Sequence, residues 1–233
     1  MDGQQRSACV PVGPRGDLAI FWQHADGSGT PERLTRPEPG QSHLPNAWSP
    51  TGDTLLFSRS NGASISLWTL SLRDREAAPF GGVQSSNQPN ASFSPDGRWV
   101  AYNSNDTETR ANEIFVQRSP STGAKYQVPG PPGKANPFWS PDGNELYYTP
   151  VGGSLSIVGV RREPSLTFGN PTTVSRPGAT GLGPTFRNQD VAPDGKRFVI
   201  VVDDVSELGA MPGAQIHVVL NWFEELKRLV PTK

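Results

Sequence analysis

The feature that most constrains this 233-residue chain is a turn-forming segment that recurs four times, an apolar residue followed by Ser-Pro-Asp-Gly or a close variant. The copies are Trp48–Gly52, Phe93–Gly97, Trp139–Gly143 and Val191–Gly195. Successive copies start 45, 46 and 52 residues apart, a period typical of β-propeller blades. Pro presets φ, Asp can accept hydrogen bonds from its own turn, and Gly adopts the left-handed conformation. Each copy, here called a corner, therefore predicts a hairpin between two strands.

Segments rich in β-branched and aromatic residues follow each corner at similar intervals. The predicted second strands are 54–57, 98–102, 145–148 and 197–202. The predicted third strands are 65–70, 113–117, 155–160 and 215–220. Shorter fourth strands are predicted at 76–80, 125–128 and 171–175. Four strands per repeat predict an all-β fold, a β-propeller of about five four-stranded blades.

The predicted propeller is one domain that spans residues 1–233. Its approximate blades are 1–35, 44–80, 89–128, 135–175 and 185–220. Met1-Asp2-Gly3 stands where Pro-Asp-Gly is expected, so the pattern predicts that the chain begins inside a blade and that sequence precedes it. The alternative is that Met1 is the true start and another segment completes the blade. Five units can close by themselves or form an arc of a larger ring.

A different pattern follows the last predicted strand. Asn221 is a suitable N-cap, and Glu224 completes a capping box three residues later. Trp222, Leu226 and Leu229 share one face at helical spacing, and Pro231 ends the pattern. The sequence predicts a short C-terminal helix over 221–230.

The aromatic residues that precede the corners, Trp48, Phe93 and Trp139, are predicted to pack between blades. A single blade has two apolar faces and can bury both only against its neighbours. We therefore expect substitution of these residues by Ala to cost about 3–5 kcal/mol of stability.

Charge and hydropathy exclude several classes of partner. The net charge is −1 and no basic stripe is visible, which argues against nucleic acid. No apolar run approaches the ~20 residues of a membrane-spanning helix, and residues 1–20 show no signal-peptide pattern. Cys9 is the single cysteine, so no intrachain disulfide is possible.

The sequence carries no recognisable catalytic constellation. None of the three histidines, His24, His43 and His217, stands at metal-ligand spacing from another His or from Cys9. No Gly-x-Ser-x-Gly nucleophile elbow is present. We predict no catalytic residue, no cofactor and no metal site.

Acidic and amide side chains in two loops are the remaining candidates for ligand binding. Asn105, Asp106 and Glu108 lie between the second and third strands of one repeat, and Asp203 and Asp204 occupy the equivalent loop of the last repeat. In propellers these loops share a face with the connections between blades, here 36–43, 81–88, 129–134 and 176–185. We predict a ligand site there; the alternative is that these acids are merely solvated. Asp96 and Asp142 are interpreted as turn-forming residues.

The corners resemble those of TolB-like propellers, over residues 1–220. The match is closest at Ser94–Gly97 and Ser140–Gly143 and weaker at Thr51 and Ala192. The segments 194–198 and 218–226 are similar to the end of bacterial propellers that follow a membrane-anchored serine/threonine kinase domain. The resemblance implies a non-catalytic sensing module in the periplasm or otherwise outside the cytoplasm, with a protein or envelope component as partner. Kinase motifs are absent from this chain.

Three functional hypotheses remain open. The first is a non-catalytic module that binds a protein or cell-envelope ligand on its loop face. The second is a metal-dependent lactonase- or esterase-like propeller. It is motivated by residues that recur before the first strands, Asn46, Asn90, Asn136 and Asn188. Such asparagines can equally turn the chain into the strand. The third is a structural spacer.

Overall fold

A computed structural model describes residues 6–9, 18–24, 28–174, 187, 189–195 and 197–200, with the backbone alone for 6–9 and 200. Every regular element in these ranges is a β-strand. In chain order they are β1 (Arg6–Cys9), β2 (Phe21–His24), β3 (Glu32–Arg33), β4 (Ser42–Trp48), β5 (Thr54–Ser60), β6 (Ile65–Ser71), β7 (Ala77–Ser85), β8 (Ser92–Phe93), β9 (Trp99–Ser104), β10 (Glu113–Arg118), β11 (Lys125–Gln127), β12 (Ala135–Trp139), β13 (Glu145–Thr149), β14 (Leu155–Arg161), β15 (Thr167–Phe168), β16 (Thr172–Val174), β17 (Gln189–Val191) and β18 (Phe198–Ile200).

The strands form five consecutive antiparallel sheets, called blades I to V here. Blade I contains β1 to β3, blade II β4 to β7, blade III β8 to β11, blade IV β12 to β16, and blade V β17 and β18. In blade IV, β15 and β16 both pair with β14, at its two ends, and together form an interrupted outer strand. This repeated four-stranded meander confirms the predicted all-β fold. The helix predicted over 221–230 lies outside the described residues.

The first strands of neighbouring blades contact one another, β4 with β8 and β8 with β12, which places them at the inner edge where blades converge. The buried apolar residues fall into clusters that each join two consecutive blades. One cluster joins Leu56 and Phe80 of blade II to Val100 and Phe115 of blade III. Another joins residues of blade III, such as Trp99, to Trp139 and others of blade IV. Each blade therefore covers its neighbour, as the propeller interpretation requires.

Of the three aromatic residues that precede the corners, Trp139 is the most buried. Only 6% of its surface is exposed, and its indole Nε1 donates to the Ser92 carbonyl of blade III at 3.4 Å. Trp48 and Phe93 are half-buried and pack against the clusters between blades I and II and between II and III. The prediction that these residues lie between blades is confirmed, but their burial differs.

The corners have the hydrogen bonds that their residue types predict. In Ser94–Gly97, the Gly97 amide donates to the Ser94 carbonyl at 2.8 Å, and the Ser94 hydroxyl donates to Asp96 Oδ1 at 2.5 Å. The same carboxylate oxygen accepts from the Arg98 amide at 3.0 Å. Ser140–Gly143 repeats this arrangement. Asp96 and Asp142 therefore act as turn-forming residues, as interpreted from the sequence.

The corner at Trp48–Gly52 has Thr51 where the others have Asp, yet a carboxylate still occupies its centre. Asp53, two residues later, accepts from the hydroxyls of Ser49 at 2.9 Å and Thr51 at 2.7 Å. These hydrogen bonds, above all that from Thr51, lower the pKa of Asp53 below its usual value. The departure from the repeat pattern is thus compensated by a residue outside it.

Neighbouring corners stack on one another. A side-chain carbon at Gly97 would lie 3.5 Å from the Pro50 ring, and one at Gly143 would lie 3.3 Å from the Pro95 ring. Both glycines have φ of +70°, which side-chain-bearing residues rarely adopt. The corners of blades II to IV therefore form a continuous row on one face, called the corner face.

The outer strand of blade II is longer than predicted. The sequence predicts a strand over 76–80 and a connection over 81–88, but β7 continues to Ser85. Gly81 and Gly82, with φ of 59° and 65°, allow the chain to bend within the strand, and its register with β6 shifts there. Two consecutive glycines in a sequence usually indicate a loop, but here they form a bulge within a strand.

Candidate functional site

The face opposite the corners carries the loops between second and third strands and the connections between blades; we call it the loop face. Between blades II and III it contains an open cleft of about 340 Å³. The lining residues of this loop-face cleft are Ala63, Ser64, Gln84, Ser85, Ser86, Asn105, Asp106, Thr107 and Arg110. All but one of these residues have polar side chains, which include one carboxylate and one guanidinium group.

Asn105 fixes the geometry of the loop-face cleft. Its Oδ1 accepts from the Ser85 hydroxyl at 3.0 Å and from the Ser86 amide at 2.8 Å. Its Nδ2 donates to the Ser86 hydroxyl at 2.5 Å. One step deeper, the Ser104 hydroxyl donates to the Gln84 carbonyl at 2.7 Å. Hydrogen bonds thus tie the β9–β10 loop of blade III to the end of β7 in blade II.

The five side chains predicted for ligand binding have different positions. Asn105 and Asp106 line the loop-face cleft, and the Asp106 side chain is exposed. Glu108 is exposed in the same loop but does not line the cleft. Asp203 and Asp204 lie outside the described residues. A ligand-binding role for these residues stays a prediction.

Other lining residues were not predicted from the sequence. Gln84, Ser85 and Ser86 come from the end of β7 and the connection after it, and Arg110 comes from the far side of the β9–β10 loop. The sequence contained one indication of Gln84, Ser85 and Ser86, because the connection predicted over 81–88 belongs to the loop face. Nothing local distinguishes Arg110 from an ordinary loop arginine.

The recurring asparagines join blades. Asn46 Oδ1 accepts from the Ala91 amide at 2.9 Å, and Asn90 Nδ2 donates to Asn136 Oδ1 at 2.7 Å. These partners are 45 and 46 residues apart, one repeat of the sequence. Asn90 and Asn136 also have positive φ values of 44° and 56°, which Asn tolerates better than most residues. Inter-blade hydrogen bonds and backbone conformation therefore account for this recurrence; Asn188 lies outside the described residues.

A buried ion pair joins blades III and IV below the loop face. Lys134 Nζ lies 2.6 Å from Glu113 Oε2 and donates to the Gly130 carbonyl at 2.9 Å. The two side chains are only 1% and 8% exposed. Tyr148 lies close by: burial raises the pKa of its phenol, and the Glu113 charge adds to this effect. Neither charged residue was singled out in the sequence, where Lys134 resembles an ordinary loop charge and Glu113 an ordinary charge at the start of a strand.

His43 is a buried titratable group at the start of β4, next to blade I. It packs against the Phe57 ring with centroids 5.2 Å apart, and its amide donates to the Leu18 carbonyl at 2.8 Å. Within the described residues, neither ring nitrogen has a hydrogen-bond partner. Burial, assisted by the Arg59 charge, lowers the pKa of His43 from 6.5 to about 4. The His43 ring of the folded protein is therefore neutral at neutral pH.

The lowered pKa of His43 predicts a pH-dependent stability. Between pH 6.5 and 4 the unfolded chain binds a proton that the folded chain does not, so acid favours unfolding by at most about 1.4 kcal/mol per pH unit. In urea unfolding, we expect His43→Phe to weaken this dependence relative to wild type. The corner carboxylates, whose pKa values are lowered, titrate identically in both proteins. Parallel stability profiles over this range would contradict the prediction.

No group of three or more His, Cys, Asp or Glu side chains suited to a metal ion occurs among the described residues. Within the same ranges, no helix has the length and apolar character to cross a membrane.

Comparison with solved structures identifies the architecture. TolB from Acinetobacter baumannii is 19% identical, with 85% of this chain and 47% of that chain covered, and a TM-score of 0.64. A TolB-like protein from Agrobacterium tumefaciens is 18% identical, with 72% and 60% covered, and a TM-score of 0.56. The Dos1 propeller is 13% identical, with 79% and 44% covered, and a TM-score of 0.50. No family model and no curated protein matches the sequence.

These similarities confirm a TolB-like β-propeller fold. This chain covers about half the length of the solved structures that it matches. At such identities the likeness concerns the fold, and one fold supports many functions.

Proposed function

We propose that this chain is a non-catalytic binding or sensing module that recognises a protein or cell-envelope ligand on its loop face. The observation that carries the proposal is the loop-face cleft, which lies on the seam between blades II and III. Its walls are joined by the Asn105 hydrogen bonds, so the shape of the cleft is set before a ligand arrives. Preorganised walls reduce the entropy lost on binding.

The chemistry of the cleft suits a polar ligand of mixed charge. Asp106 and Arg110 are both exposed at its rim, and Ser64 and Thr107 add hydroxyl groups. The side chains of an exposed protein loop or the polar groups of an envelope component offer complementary donors and acceptors. Ala63 alone among the lining residues has an apolar side chain, so specificity would come from hydrogen bonds and charge.

Capture from a bacterial envelope fraction tests the proposal. We expect the immobilised chain to retain a partner that is lost when both rim charges are reversed, in Asp106→Arg/Arg110→Glu. All the changed side chains are exposed, so the fold should be preserved. Arg73→Glu, an exposed charge reversal in the β6–β7 turn on the corner face, is the matched control. Equal retention by wild type and the double variant would refute the proposed site.

The proposal extends to location and parent architecture. We infer that the module works in the periplasm or elsewhere outside the cytoplasm, as the propeller that follows a membrane-anchored serine/threonine kinase domain. Its support is the corner resemblance and the similarity of segments 194–198 and 218–226 to such propellers. Protease added to spheroplasts should digest this module in the intact parent protein. Complete protection until the membrane is permeabilised would exclude this location.

A further inference from the structure

The corner face contains a second cleft, on the seam between blades III and IV, with a volume of about 470 Å³. The lining residues of this corner-face cleft are Pro95, Asp96, Arg98, Trp99, Arg118, Asp142, Arg162 and Glu163. It lies on the opposite face from the loop-face cleft, so a ligand bound here would be independent of the function proposed for the loop face. Three arginines and three carboxylates line it, so what a ligand meets depends on which of these charges are already paired.

The arginines are not equivalent. Arg162 is engaged: its Nη1 lies 2.9 Å from Asp96 Oδ2, and its Nη2 donates to the Asp142 carbonyl at 3.3 Å. Within the described parts of the chain, Arg98 and Arg118 have no carboxylate at ion-pair distance. Both residues are exposed. Two cationic groups on the blade III wall therefore remain available to a ligand.

Arg118 is also held in place. Its guanidinium carbon lies 4.8 Å from the centroid of the Trp99 ring, a cation–π contact, and the two residues are paired across β9 and β10. Trp99 is only 3% exposed, so its position is set by the core below. A guanidinium fixed over a buried ring loses less conformational freedom when it forms bidentate hydrogen bonds with a carboxylate.

The two nearest carboxylates form no direct ion pair with Arg98 or Arg118, because their oxygens already accept other hydrogen bonds. Asp96 Oδ1 accepts from Ser94 and the Arg98 amide, and its Oδ2 faces Arg162. Asp142 accepts from the Ser140 hydroxyl at 2.6 Å and from both nitrogens of Asn144. Burial opposes the ionisation of Asp96, but these hydrogen bonds and the arginine charges outweigh it, and the pKa values of both carboxyls are lowered. Glu163, on the blade IV wall, is exposed and has no such partners among the described residues.

We propose that the corner-face cleft is a binding site for an acidic segment of a partner polypeptide, whose carboxylates pair with Arg98 and Arg118. The cleft is larger than one carboxylate needs and is open to solvent, which suits an extended chain. The absence of a basic stripe in the sequence disfavours nucleic acid as the anion. Glu163 opposes the acidic segment and limits its affinity.

The test measures binding of a fluorescently labelled hexaglutamate peptide to the full chain by anisotropy. We expect saturable binding that weakens with added salt. Arg98→Gln and Arg118→Gln should each weaken binding about tenfold, since each removes a charge-assisted pair. Glu163→Gln should tighten binding, which a misfolded variant would not do. Arg73→Gln, an exposed arginine in the β6–β7 turn that does not line the cleft, is the matched control and should leave affinity unchanged.

Several results would overturn the inference. Absence of saturable binding is one, and equal weakening by Arg73→Gln is another, because it would indicate non-specific attraction. A hexauridine RNA that binds as tightly as hexaglutamate would point to nucleic acid instead. If inorganic phosphate displaced the peptide when both were present at the same total concentration of negative charge, the cleft would be a small-anion site. An unchanged affinity in Glu163→Gln would mean that the peptide binds elsewhere.

Discussion

Lys134→Met is expected to destabilise the protein by about 3–5 kcal/mol, among the largest effects of any single substitution in the described chain. The variant removes the partner of Glu113, whose side chain is 8% exposed and lies 2.6 Å from the ammonium group. A carboxylate left buried without a counter-charge must either remain desolvated or bind a proton. Urea unfolding at pH 7 measures this loss of stability.

Two controls separate the buried charge from loss of packing. Lys134→Met/Glu113→Leu removes both charges and should recover most of the stability, since apolar replacements of a buried pair are often neutral. Arg75→Met breaks the ion pair with Glu32, which also joins two blades but has side chains 49% and 47% exposed. It should cost at most about 1 kcal/mol. A loss of that small size in Lys134→Met would contradict the account of the junction between blades III and IV.

Trp139→Ala should also destabilise the protein by about 3–5 kcal/mol. The indole is almost fully buried in the cluster between blades III and IV, and its Nε1 donates to the Ser92 carbonyl. The substitution leaves a cavity between two blades and removes the hydrogen bond to the Ser92 carbonyl. Thermal or urea unfolding followed by circular dichroism measures the change.

Phe93→Ala is the matched control for Trp139→Ala, because Phe93 holds the same position of the repeat in blade III. Phe93 is only half-buried, so less apolar surface is lost and the cost should be smaller. Sequence alone predicts similar losses at both positions. Equal losses would mean that the packing between blades II and III is as tight as that between III and IV.

The fold could be predicted because its signals are local and repeated. Turn residues at a constant period and alternating apolar strands indicate the blade without knowledge of its neighbours. The structure departs from the predicted pattern at two places. Asp53 supplies the carboxylate that Thr51 lacks, and Gly81 and Gly82 bend a strand where glycines more often end one.

The candidate site could be predicted only in part. Blade topology predicted which face carries the cleft and that Asn105 and Asp106 lie on it. The opposite wall of the cleft could not be predicted, because Ser85 and Asn105 are 20 residues apart and meet only when blades II and III pack. The same reason hides the Lys134–Glu113 pair, since desolvation depends on tertiary packing. The recurrence of Asn46, Asn90 and Asn136 was visible, but its inter-blade hydrogen bonds were not.

Site-specific photo-crosslinking tests the central claim, recognition through the loop face, most directly. A photoreactive phenylalanine analogue is placed in the protein, as expressed in living cells, at Asp106 or Ser64, on opposite walls of the loop-face cleft. It is also placed at Arg73 or Thr122, exposed positions on the corner face. After irradiation of living cells, the account predicts one common adduct from both cleft positions that is lost in a protein also carrying Arg110→Glu. Adducts of equal yield from all four positions, or from the corner-face positions alone, would contradict it.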